Sequence, residues 1–229
     1  MLAMTGMATA VPEWRFDPPE EVLQSRLFFA RGFMLVSGLF DELTLRALHT
    51  EAEAVRAEGQ RGYVAHSDGT EGRGGAPARA YRSAPCGAIH RSLFGCRQMA
   101  ETLGTLCGVT VSSTGGGTYS YYERLGDFLA LHRDILQCDI ALIAALTDPP
   151  ETRGGELTIY PKFIRAPLSR VRAAGRAFGM GLPLKRGQAA VLLGGLVPHE
   201  VLPMSEGQER IVAINCYRVQ PASRGDSMA

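Results

Sequence analysis

His132-Arg133-Asp134 sets an imidazole and a carboxylate one residue apart. In an extended strand that spacing brings both side chains to one face and sends Arg133 to the other. Two metal donors would then converge, and a third has to come from elsewhere in the chain. His199 is the only histidine after Asp134. It sits in Val197-Pro198-His199-Glu200-Val201-Leu202-Pro203, behind the apolar run Ala189 to Leu193, and its flanking prolines stiffen the backbone. The alternative for His199 is a structural histidine. Two imidazoles and a carboxylate that leave three coordination positions open suit iron(II), in the facial arrangement used by non-haem oxygenases.

A lone His-x-Asp is weak evidence, and the chain carries its own control in His66-Ser67-Asp68. That copy lies among Gly, Ser and Arg. His132, by contrast, follows Phe128-Leu129-Ala130-Leu131 and has the rigid apolar frame a metal ligand needs. Eleven residues beyond His199, Arg210 opens the run Ile211 to Tyr217. Alternation puts it on one face with Val212, Ile214 and Cys216. A guanidinium at the end of an apolar face is costly to leave unpaired, so it calls for a carboxylate, which it can grip with two parallel hydrogen bonds. A surface-facing arginine at the start of the strand is the other reading.

These residues need strands to hold them. From Val109 onward, short runs rich in Val, Ile, Leu and Tyr alternate with Gly, Pro and Asp turns. The pattern predicts strands at 109–113, 117–122, 127–133, 138–147, 156–160, 179–184, 188–193, 198–203 and 210–218, a mainly β closed sandwich or jelly roll. Upstream, a helical stretch opening at Pro18-Pro19 runs to about Phe29. A short strand, Gly32 to Val36, follows. Asp41 then N-caps a helix carrying Leu43, Leu45, Leu48, Ala52 and Val55 and ending at Gly59. Gly59 to Ala88 shows no sustained period and reads as extended loop, either a substrate lid or a solvated surface loop.

Taken together, Tyr122 followed by Gly126-Asp127-Phe128 and His132-Arg133-Asp134, then Gly154-Gly155-Glu156-Leu157-Thr158-Ile159-Tyr160-Pro161, then Lys185-Arg186-Gly187 leading to His199 and Arg210, resemble the 2-oxoglutarate- and iron(II)-dependent dioxygenases. The wording is closest to the prolyl-4-hydroxylase-like branch, over about residues 117–218. The resemblance implies a double-stranded β-helix, a cupin-like jelly roll with N-terminal flanking helices. It also implies His132, Asp134 and His199 as ligands of Fe(II), Arg210 as partner of the far carboxylate of 2-oxoglutarate, and Tyr122 as a hydrogen-bonding neighbour of that cosubstrate. An ordinary core role for Tyr122 is the alternative. The implied activity uses O2 to oxidise an unactivated C–H bond, by default hydroxylation, with release of succinate and CO2. Where many members carry an aromatic residue in the strand after the first ligand pair, this chain has Ala145.

Composition bounds the remainder. The 229 residues suit one domain, with 1–16 a flexible tail, 17–220 the domain (helical buttress 17–59, loop-rich segment 59–90, core about 109–218) and 221–229 a second tail. A formal net charge of +1 gives no pull toward nucleic acid or an anionic membrane. No apolar run approaches the ~20 residues of a membrane span, and the first residues do not read as a secretory signal. Five widely spaced cysteines without a Cys-x-x-Cys pair argue against a disulfide framework and a zinc site, and point to a reducing cytoplasm. A small-molecule substrate is expected, an amino acid or biosynthetic intermediate. A peptide side chain, a non-catalytic 2-oxoglutarate or metal sensor, and a cupin-like metalloenzyme that does not use 2-oxoglutarate are the alternatives. Arg73, Arg79, Arg82, Arg91 and Arg97, gathered in or after the loop segment, could serve an anionic substrate or face solvent.

Overall fold

A computed structural model describes residues 20–149 and 154–221. The expected tail at 1–16, the Pro18-Pro19 helix start and all but Pro221 of the expected C-terminal tail lie outside them. The N-terminal helical stretch divides at Ser25 into α1 (Glu20–Gln24) and α2 (Arg26–Phe29), because the Ser25 side chain accepts from Phe28 N–H and restarts the helix as an N-cap. Asp41 caps α3 (Glu42–Val55) through Thr44 N–H at 2.7 Å, as its sequence position predicts. Helix α3 buries Leu45, Leu48 and Ala52 on one side.

One continuous antiparallel path runs through the strands. It begins with β1 (Phe33–Val36), β9 (Ala189–Leu192), β6 (Ile140–Ala145), β11 (Arg210–Val219) and β4 (Val111–Tyr122), and continues through β3 (Arg79–Pro85), β5 (Phe128–His132), β10 (His199–Val201), β7 (Leu157–Ile159) and β8 (Met180–Leu182). Strand β2 (Gln60–Val64) pairs with β3. The corner is β3: residues 82–85 pair with β4, while Arg79 and Ala80 pair with β5. The first group of strands forms the larger sheet and the last four the smaller, giving the mainly β, jelly-roll architecture expected. Every residue of β6 and β9 is buried. Such strands are covered on both faces. On one side the helices cover the sheet, where Tyr121 Oη donates to the Ala52 carbonyl, Tyr119 Oη to the Glu51 carboxylate and Tyr217 Oη to the Phe94 carbonyl. The other side lines the interior of the roll.

Three expectations are corrected. The strands predicted at 109–113 and 117–122 are a single strand, β4. Asn215 and Tyr217, two residues apart on β11, face Gly117 and Ser113, four residues apart on β4, so Thr114-Gly115-Gly116 bulges instead of turning. The segment 59–88 is not loop throughout: β2 and β3 pair within it, and only 65–78 connects them. Its turn is closed on itself by Asp68, whose carboxylate accepts from Thr70 and Ala76 N–H. Cysteine spacing suggested unpaired thiols, yet Cys138 and Cys216 form a disulfide across a Cα–Cα distance of 4.9 Å, leaving Cys86, Cys96 and Cys107 free. At a separation of 78 positions the partners carry no local pairing signal. No helix among the described residues is long and apolar enough to cross a membrane.

Candidate metal centre

Strand β5 ends at His132, so Asp134 lies two residues past it and strand alternation alone does not bring the two together. A bulge and a braced loop do. Opposite His199 and Val201 of β10 stand His132 and Leu129 of β5, three residues against two. The extra residue turns His132 to the same side as Leu129 and His199. Asp134 is then fixed by its own backbone: its N–H donates to the Gly194 carbonyl at 2.9 Å, and Gly74 N–H donates to the Arg133 and Asp134 carbonyls.

The three side chains converge. His132 Nε2 lies 3.7 Å and His199 Nε2 3.6 Å from Asp134 Oδ1, and the two rings are 4.3 Å apart between centroids. Each Nδ1 is 2.9 Å from a carbonyl oxygen of its own strand, Ala130 for His132 and Val197 for His199. With the Nδ1 protons donated there, each Nε2 lone pair points to the shared centre. Burial and the neighbouring His199 push the His132 pKa down. Burial would lower the His199 pKa as well, but the Asp134 charge outweighs it and raises it. Burial would raise the Asp134 carboxyl, but the two histidines hold it well below the usual range. Asp134 Oδ2 is buried without a hydrogen-bond partner. An orphaned carboxylate oxygen beside two inward Nε2 atoms fits a divalent cation. Among the described residues this is the one group of three or more His, Cys, Asp or Glu side chains close enough to share an ion.

The decoy separates cleanly. His66 is exposed, and Asp68 is occupied with its own turn.

At the other end of the interior, Arg210 is 7% exposed and has no acidic partner among the described residues. It stands directly opposite Tyr122 in the β11–β4 register, its guanidinium carbon 5.3 Å from the Tyr122 ring centroid. Burial lowers the Arg210 pKa and raises that of Tyr122. Tyr81 stacks on Tyr122 with centroids 5.1 Å apart, and its phenol feels the Asp134 charge. The Tyr81–Tyr122 stack thus lies directly against Arg210. Ala145 lines the cavity at Arg210 together with Thr147, Leu182 and Leu184.

Sequence reasoning missed four residues that build this site. Tyr81 was hidden within the apparent loop, although its alternation with Ala80 and Arg82 marks a strand. Arg133, fully buried, donates to the carbonyls of Glu71, Phe163, Ala166 and Leu196, tying three segments behind His132 and Asp134. Arg73 pairs with Asp139 at 2.8 Å and donates to the carbonyls of Asp134, Ile135 and Cys138, clamping the loop that carries Asp134. Gly194 leaves room for Asp134 Oδ2, which a Cβ would overlap; the Gly194-Gly195 pair was the available signal. The arginines grouped by sequence do not form one patch. Arg82 pairs with Glu123, Arg91 donates to the Cys86 carbonyl and Arg97 pairs with Glu101, whereas Arg79 has no acidic partner among the described residues.

Neither a protein-family model nor a curated protein sequence matches the chain. Solved structures do. A Pseudomonas putida prolyl-4-hydroxylase matches at 19% identity and a TM-score of 0.57, over 85% of this chain and 96% of that one. The non-haem α-ketoglutarate-dependent epimerase SnoN from nogalamycin biosynthesis matches at 16% and 0.64, over 91% and 86%. HygX from Streptomyces hygroscopicus, solved with nickel and 2-oxoglutarate bound, matches at 13% and 0.61, over 89% and 88%. With its jelly roll, its strand order and these matches, the chain has the fold of the 2-oxoglutarate- and iron(II)-dependent oxygenases.

Proposed function

We propose that this protein is an Fe(II)- and 2-oxoglutarate-dependent dioxygenase that oxidises a C–H bond of a small molecule, with hydroxylation the default outcome. One observation carries the reading: His132, Asp134 and His199 converge on an interior whose far end holds a buried arginine without an acidic partner. A bound iron(II) would supply the site for dioxygen activation coupled to decarboxylation of 2-oxoglutarate to succinate. The chain's own residues do the remainder. His132 Nε2, His199 Nε2 and the Asp134 carboxylate would hold the metal on one side and leave the opposite positions open. Arg210 would pair with the far carboxylate of 2-oxoglutarate, supported by Tyr122, while the Tyr81–Tyr122 stack walls the cosubstrate from bulk water. Asp134 also argues against the halogenating variant of this chemistry, in which a small residue replaces the carboxylate ligand. Beside Tyr81 lies a groove of about 570 Å³, the size of a small-molecule site rather than of an extended peptide track.

The test is aerobic incubation with iron(II) and 2-oxoglutarate, following succinate. Slow release without added substrate is expected, lost in His132→Ala, Asp134→Ala and His199→Ala and retained in His66→Ala. Release that survives loss of the three ligands, or is lost with His66, overturns the assignment. An anaerobic titration that shows no metal-to-keto-acid absorption band would favour a cupin-like enzyme that does not use 2-oxoglutarate.

A further inference from the structure

Strand β3 carries one cation that the metal centre does not use. In the β2–β3 register Arg79 stands opposite Val64 and Tyr81 opposite Gly62, so Arg79 and Tyr81 share a face. That is the face on which Tyr81 meets Tyr122, the lining of the roll. A groove of about 570 Å³ runs along it, bordered by Gln60, Arg79, Tyr81, Ser83 and Thr118, with the exposed Glu58 on its rim. Arg79 Nε lies 3.5 Å from where a Cβ on Gly62 would stand, so its side chain lies across the hairpin within the groove. The other arginine on the groove, Arg61, is held by Asp127. Arg79 has its donors free: no hydrogen bond or ion pair engages its guanidinium among the described residues.

A half-buried guanidinium with a planar fork of donors and no acid paired to it is a poor structural element and a good anion receptor. Its neighbour links it to the chemistry. Arg79 stands directly opposite Leu129 on β5, the strand that ends at His132, so the groove borders the strand that carries the first candidate ligand. We propose that Arg79 anchors an anionic group of the substrate, a carboxylate or a phosphate, and thereby sets which C–H bond lies against the metal centre. The polar lining of Gln60, Ser83 and Thr118 suits a molecule with further hydrogen-bonding groups, and the exposed side of Tyr81 suits a flat or cyclic body. Only the word substrate rests on the dioxygenase reading; the anion site itself stands on the groove.

The experiment is calorimetric titration of the metal-free protein with benzoate, phenyl phosphate and the uncharged benzamide, so that no probe can chelate a metal. Wild type should bind one of the anions at least tenfold more tightly than benzamide, which corresponds to one charge-assisted pairing. Tighter benzoate names a carboxylate and tighter phenyl phosphate a phosphate. Arg79→Gln should abolish the preference, Arg79→Lys should retain part of it, and Arg97→Gln should leave it, because that guanidinium is exposed and paired with Glu101. No anion preference in wild type overturns the proposal without any variant being needed. So does a preference that survives Arg79→Gln or vanishes with Arg97→Gln. These titrations use neither iron nor dioxygen, so their result is independent of the succinate assay.

Discussion

A methyl group added at Gly194 would overlap Asp134 Oδ2, the carboxylate oxygen left without a protein partner. Gly194→Ala is therefore expected to weaken metal binding by about 10–100-fold, the range seen when the support of a ligand is disturbed. Anaerobic iron(II) titration checks it, and unchanged affinity would show that the Asp134 loop can yield. Arg210→Ala removes a binding contact and not a ligand, so it should raise the 2-oxoglutarate concentration needed for half-maximal succinate release by at least tenfold while leaving metal affinity intact. An unchanged requirement would pass the carboxylate-binding role to another group. At this scale much was legible. Residue type and spacing picked out His132, Asp134, His199 and Arg210, and the contrast between His66 in polar loop and His132 in apolar strand chose the pair that the fold brings together with His199.

Glu51 shows how elements hold one another. From α3 its carboxylate accepts from Ile89 and His90 N–H at 2.6 and 2.9 Å and from Tyr119 Oη at 2.7 Å, capping α4 (Ala88–Phe94), whose N-cap Gly87 supplies no side chain. Three elements meet on one side chain. Glu51→Ala should cost roughly 2–4 kcal/mol, combining a lost cap with buried donors left unpaired. Chemical denaturation measures this, and a loss under 0.5 kcal/mol would contradict the cap. The Cys138–Cys216 bridge joins the Asp134 loop to β11. Breaking it under reducing conditions should lower stability by roughly 2–4 kcal/mol, since a loop of 78 residues is released in the unfolded chain. A melting temperature unchanged by reductant would show that the bridge contributes nothing. Of these features, Asp41 as a helix cap was visible because its partner lies three residues away. Glu51 was not, because its partners lie 38, 39 and 68 residues on.

For the whole molecule, pH is the sensitive variable. His90 is fully buried between Phe94 and Tyr119, and burial pushes its pKa down to about 4. The unfolded chain takes up a proton near pH 6.5, whereas the folded one refuses it until about pH 4. The stabilising contribution of neutral His90 is thus full above pH 6.5 and is lost as pH falls toward 4, by on the order of 3 kcal/mol. Melting temperature should drop across that window in the wild type and drop less in His90→Gln. Equal slopes would move the acid sensitivity elsewhere.

The sequence by itself singled out His132, Asp134 and His199 as candidate donors and Arg210 and Tyr122 as candidate neighbours of a cosubstrate, and it determined the strand-rich second half and the Asp41 helix. Each of these is written in residue type and in periods of two or 3.6 over a few neighbours. Only the tertiary structure decided the remainder. It supplied the bulge in β5 that turns His132 inward, the Gly194 and Gly74 backbones that place Asp134, and the buried clamps of Arg73 and Arg133. It also decided the Tyr81–Tyr122 stack, the free guanidinium of Arg79 and the Cys138–Cys216 pair. The physical reason is common to all of them. Each depends on which strand becomes whose neighbour and in what register, and contacts between residues about 30 to 80 positions apart are selected by packing and hydrogen-bond satisfaction across the closed roll, not by local spacing.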